Sequence, residues 1–225
     1  MSGSYDPQEA GSLAAAAATA KFPDAWYAGA GAYFAEYAKE LARASETIDP
    51  AAMEQAGNLL VAAYARGGRM FSCGNGGSAS IANHMQCDHL KGIRTGTDLV
   101  PQVLSLAANV EVLTAIANDI GYHDVFVYQL QSQAGPGDVL IAVSSSGRSR
   151  NIVDALTWAR DNGLGTIAIT GFEGGAARSV AEVAIHVDCT NYGVVEDLHQ
   201  AVMHALAQYV RQSRMTADTI SETVF

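Results

Sequence analysis

Between residues 135 and 163 the sequence leaves the chain few courses. The turn signal Gly135-Pro136-Gly137-Asp138 precedes an apolar run, Val139-Leu140-Ile141-Ala142-Val143, and then Ser144-Ser145-Ser146-Gly147-Arg148-Ser149. An apolar run of that length between turn residues reads as a strand buried on both faces. From Ser149 to Asn162 the apolar residues recur at helical spacing, Ser149 stands where an N-cap belongs, and Gly163 ends the helix. Strand, hydroxyl loop and helix N-terminus in succession gather unpaired amides at one point, which attracts an anion. A plain serine-rich turn capping a helix answers to the same residues.

A second unit of the same form lies upstream, in Ser72-Cys73-Gly74-Asn75-Gly76-Gly77-Ser78-Ala79-Ser80. Its glycines allow backbone amides to approach a ligand closely, and Ser78 sits where a cap would. It has neither the Gly-x-Gly-x-x-Gly spacing of a dinucleotide site nor the Gly-Lys-Ser/Thr ending of a P-loop, so no nucleotide cofactor is expected. Two such units point to one phosphate held from two sides.

The alternation continues along the chain. Strands are expected at Arg69 to Cys73, Val100 to Leu106, Asp138 to Val143, Thr166 to Thr170 and Val183 to Val187, with helical stretches between them. Residues 67–212 thus predict an α/β fold, a doubly wound five-stranded parallel sheet flanked by helices, of the flavodoxin or Rossmann kind. Ligands of such sheets sit beyond the carboxyl ends of the strands. Residues 23–66 read as two N-terminal helices, Asp24 to Ser45 and Pro50 to Arg66, and the first carries Trp26, Tyr27, Tyr33, Phe34 and Tyr37. These helices pack on the core or on a partner subunit. The Gly, Ser and Ala rich residues 1–22 are expected to be flexible, and the polar tail 213–225 frayed.

Composition narrows the function classes. A formal net charge of -10 with no run of Lys or Arg argues against nucleic acid or an anionic membrane as partner. The three cysteines, Cys73, Cys87 and Cys189, make no disulfide framework, and Cys73 and Cys87 read as buried small residues. No basic segment precedes the Ala run at Leu13 to Ala18, and no stretch is apolar enough for a membrane span, so a cytoplasmic protein is expected.

These residues resemble the sugar isomerase (SIS) family and, within it, the phosphoheptose isomerases, over roughly residues 50–212. The carriers are Cys73 to Ser78, Ala117-Asn118-Asp119-Ile120-Gly121-Tyr122, Gly137 to Leu140, Ser144 to Ser149, Thr170-Gly171 with Gly174-Gly175, and the segment from His199 to His204. The resemblance implies an aldose–ketose isomerase that converts sedoheptulose 7-phosphate to glycero-manno-heptose 7-phosphate. It implies that Ser78, Ser144, Ser145, Ser146 and Ser149, with the backbone of Gly76 and Gly77, hold the sugar phosphate. Asn75, Asn118 and Asp119 would then contact its hydroxyls or carbonyl. It further implies a homotetramer with active sites at subunit boundaries.

Moving a carbonyl between C1 and C2 takes a base at the adjacent carbon and a group that stabilises the enediolate, so carboxylates and histidines are the expected types. His84 and Asp88, four apart, face one way on their helix; Glu196, Gln200 and His204 share a face of the last helix, with His199 beside it. The resemblance places a metal-binding His and a catalytic Glu at His84 and Asp88, and a Gln and a His at Glu196 and His204. Two departures follow, a shorter acid at Asp88 and an acid in place of an amide at Glu196. Two carboxylates and two histidines, His84, Asp88, Glu196 and His204, suit a divalent ion, zinc first. The catalytic set is Asp88, His204 and Glu196. Leu90 and Gly92 match the family better with one residue inserted, which would bring His89 to the catalytic position; a gap inside a helix would turn its face by about 100°, which favours Asp88. Gly193 stands where the family has an Asp. A different phosphosugar, or a non-catalytic SIS protein that senses sugar phosphates or binds a partner, are the alternative functions.

Overall fold

The computed structural model describes residues 21–225, so the segment expected to be flexible lies outside the described residues except for Lys21 and Phe22. Five parallel strands form one sheet in the order β2-β1-β3-β4-β5: β1 Arg69–Gly74, β2 Gln102–Ser105, β3 Val139–Ser144, β4 Gly165–Thr170 and β5 Val183–His186. β2 lies on one side of β1 and β3 on the other, so the strand order reverses between β1 and β3. Their register pairs Cys73 with Ala142 and Gly74 with Val143. The two glycine-serine loops therefore leave neighbouring strand ends at the reversal point, where open α/β sheets place their ligands.

The helices are α1 Ala30–Ser45, α2 Pro50–Ala65, α3 Gly77–Cys87, α4 Val110–Asp119, α5 Val127–Gln133, α6 Arg150–Asp161, α7 Gly175–Val180, α8 Tyr192–Gln212 and α9 Ala217–Ser221. They cover both faces, because successive strand residues point to opposite sides. Met70 and Ile141 pack with Leu60, Ile81, Val202 and Leu206 of α2, α3 and α8. Phe71 and Leu140 pack with Ile116, Leu130, Ile152 and Leu156 of α4, α5 and α6. A third cluster, Ala44, Val187, Cys189, Val194 and Leu198, seats α1 on α8. Burying β3 on both faces stabilises the sheet by about 1.5–3 kcal/mol for each large side chain.

Three elements differ from the sequence reading. The first helix begins at Ala30, after an uncapped Gly29, so Trp26 and Tyr27 precede it while Tyr33, Phe34 and Tyr37 lie on it. The helix expected from Ser78 to Leu90 is α-helical only to Cys87, then becomes a π-helix over Asp88–Ile93. The polar tail holds the short α9, whose Thr216 side chain accepts from the Thr219 amide. Cys87 is exposed, whereas Cys73 and Cys189 are buried. No described helix is long and apolar enough to cross a membrane.

Candidate active site

The loop after β1 turns on Gly76, which has φ +55 and caps α3 with no side-chain bond. Ser78 falls inside the first turn of α3 instead of capping it, is buried, and its amide bonds the Asn75 carbonyl at 3.0 Å. The loop after β3 turns on Gly147, φ +62, where a Cβ would strike the Gly174 carbonyl. The Gly147 amide donates to Ser144 Oγ at 3.2 Å and the Arg148 amide to Ser146 Oγ at 3.3 Å. Ser149 occupies the N-cap of α6, yet its side chain makes no capping bond. The hydroxyl and the first amides of α6 are left for an anion. Arg148 turns to Glu173, and both are exposed.

Asn75 and Asn151 join the two loops. Each amide nitrogen donates to the other's oxygen at 2.9 Å, and the Tyr122 hydroxyl donates to Asn75 Oδ1 at 2.9 Å. Asn151 is buried in the first turn of α6. Neither Asn151 nor Tyr122 was expected in the site, although Asn151 stands two residues past the capping serine, where an inward polar group is a signal. Asn118 and Asp119 lie at the exposed end of α4, and their side chains bond each other at 2.7 Å; it is Tyr122, three residues on, that reaches the loop.

At the far end of α3 a second cluster forms. His84 Nε2 lies 3.2 Å from Asp88 Oδ1, and His204 Nε2 on α8 lies 3.4 Å from Asp88 Oδ2. Ligand atoms of His84, Asp88 and His204 lie within 4.8 Å of one another. Gln200, one turn before His204, brings its amide nitrogen within 3.1 Å of His84 Nδ1 and 3.1 Å of His204 Nε2. Two donors bound at about 2.0–2.1 Å to a tetrahedral ion sit roughly 3.3 Å apart, so imidazole and carboxylate at this spacing fit a divalent ion of the zinc type.

Glu196 does not join this cluster. Its carboxylate lies against Gly77, in space that any Cβ there would fill. The reason is helical: Glu196 and His204 are eight residues apart, roughly 12 Å along the axis and about 80° around it. The α-helix gives way at Asp88 to a π-helix, whose i→i+5 turn accommodates one extra residue, and Asp88 lies on the face of His84. His89 is turned inward, 1% exposed, with Nδ1 2.6 Å from the Tyr64 hydroxyl. Burial lowers His89 to about 3 and raises Tyr64 above its ordinary value. His199 is fully buried, and burial lowers it to about 4. Gly193 is overlooked by Tyr37, whose hydroxyl donates to Asp197 at 2.6 Å.

Paired hydroxyl-and-glycine loops at the reversal point of a parallel sheet, beside a carboxylate–imidazole cluster, define an anion-binding α/β domain of the SIS class. A model of the SIS domain family matches residues 32–171. Over 180 residues the chain is 35% identical to the phosphoheptose isomerase of Colwellia psychrerythraea, an alignment covering 79% of this chain and 91% of the relative. The fold is similar to solved phosphoheptose isomerases from Neisseria gonorrhoeae (TM-score 0.73, 28% identity, 80% of this chain and 95% of that one) and Francisella tularensis (TM-score 0.75, 27% identity, 81% and 96%). The chain belongs to the phosphoheptose isomerase family of SIS-domain proteins.

Proposed function

We propose that the protein isomerises sedoheptulose 7-phosphate to D-glycero-D-manno-heptose 7-phosphate through an enediolate. The observation that carries the reading is the placement of the two clusters on α3: Ser78 at the phosphate end and His84 six residues on, about 9 Å along the helix. That separation suits a sugar whose phosphate is remote from its reacting carbons. Ser144, Ser145, Ser146, Ser149 and Ser78, with the amides of Gly76 and Gly77, bind the phosphate at the N-termini of α3 and α6. Asn75, held by Asn151 and Tyr122, together with Asn118 and Asp119, meets the hydroxyls.

Asp88, partly open to solvent, takes a proton from C1 and, once that proton has exchanged with water, delivers one to C2, and His204, in contact with Asp88 Oδ2, is the partner acid that serves the oxygens. His89 is not positioned for this work, being buried against Tyr64. Glu196, whose carboxylate lies against Gly77 at the phosphate end of α3, stands a helix length from the reacting carbons and is left out of the proton transfer. His84, Asp88 and His204 would hold a divalent ion, zinc by the donor set, and it would supply positive charge that offsets the enediolate. The protein works as a tetramer with shared sites, supported by the exposure of Trp26 (87%) and Phe34 (69%) beside and on α1. Its unbridged cysteines suit the cytoplasm.

A panel of phosphorylated and free sugars tests the reading. Turnover of sedoheptulose 7-phosphate and none of free sedoheptulose is the expected result; preference for another phosphosugar, or no turnover of any, overturns it.

A further inference from the structure

The hydrogen bonds around His204 do not close. A neutral imidazole offers one N–H and one lone pair. His84 Nε2 lies 3.2 Å from Asp88 Oδ1, and its Nδ1 lies 3.1 Å from the Gln200 amide nitrogen. His204 Nε2 faces the Asp88 carboxylate, an acceptor, and the Gln200 N–H, a donor, at once. If it donates to Asp88, two N–H groups confront each other; if it accepts from Gln200, a lone pair confronts a carboxylate. Turning the Gln200 amide over leaves its position unchanged, removes the conflict and directs Oε1 among the ring nitrogens and the carboxylate, where it stands as a fourth donor atom for a cation.

We propose that Gln200, and not Glu196, completes the metal-holding set of His84, Asp88 and His204. Gln200 is one helical turn from His204, whereas Glu196 is two turns away with its carboxylate against Gly77. The amide that the family places at position 196 is thereby supplied from position 200. The inference rests on the metal-holding role proposed above for the other three residues.

The test is zinc affinity, read by competition with a chromophoric chelator on untagged full-length protein stripped of metal. Gln200→Ala should hold zinc about 10–100-fold less tightly than wild type. Glu196→Gln should stay within about threefold, and Gln200→Glu should restore affinity. Circular dichroism establishes that each variant is folded; if Gln200→Ala is not, the comparison of Gln200→Glu with Glu196→Gln decides. Wild-type affinity in Gln200→Ala, or weakened binding in Glu196→Gln, overturns the proposal. So does a wild-type protein that binds no zinc, yet turnover of sedoheptulose 7-phosphate by that same metal-free protein would leave the isomerase reading standing.

Discussion

In the proposed reaction Asp88 is the side chain that moves the proton, and its two imidazole contacts make its removal specific. Asp88→Asn keeps the shape and loses the proton acceptor, so kcat should fall about 10²–10⁴-fold with thermal stability within ~1 kcal/mol of wild type. Steady-state kinetics beside a melting curve checks this, and a kcat within threefold of wild type would remove Asp88 from the mechanism. The buried imidazoles make a different prediction. His89 and His199 have folded pKa values of about 3 and about 4, below the ordinary 6.5. The unfolded chain therefore binds protons that the folded core refuses as pH drops below about 6.5, and stability is lost down to the folded values. Between pH 7 and pH 5 that is about 2 kcal/mol for each imidazole. Guanidinium melts at the two pH values should show the loss; coincident curves would contradict it. At this scale the sequence made the pair His84 and Asp88 readable, because four-residue spacing on one helix is local. On the last helix it offered Glu196, Gln200 and His204 together, and which of them meets Asp88 is decided by how α8 packs on α3.

The strand–loop–helix units act as a pair through Asn75 and Asn151, not one by one. Asn151→Ala leaves a buried amide unpaired and frees the first loop, so it should cost about 1–3 kcal/mol of stability and raise KM for the phosphosugar more than it lowers kcat. A KM unchanged from wild type would mean that the loops bind independently. Gly147→Ala tests the second loop: with φ +62 and the Gly174 carbonyl in the place of a Cβ, the substitution should raise KM about tenfold or more. Strands and helices were legible to within a few residues from apolar runs and turn signals, and both loops from their glycines and serines. The π-helix at Asp88–Ile93 was not, since an inserted residue shows only as a register conflict and its resolution depends on how His89 is buried against Tyr64.

The sheet accounts for where the ligand goes, since reversal between β1 and β3 sets both loops side by side. The proposed tetramer is tested at the exposed aromatic residues beside and on α1. Light scattering should give four times the chain mass of 23.5 kDa, and the double substitution Trp26→Glu with Phe34→Glu should reduce it. An undiminished mass would locate the interface elsewhere. Alternating strands and helices made the doubly wound architecture readable from sequence, while the strand order is a tertiary property that no single segment carries. The central claim is proton transfer between C1 and C2 of a phosphosugar held at these loops. It is tested most directly by proton NMR of sedoheptulose 7-phosphate incubated with the enzyme in D2O. The account predicts loss of the ketose C1 proton signal and an aldose product carrying deuterium at C2, both abolished by Asp88→Asn. A ketose spectrum unchanged with wild-type enzyme, or an aldose formed with no deuterium at either carbon, would contradict it.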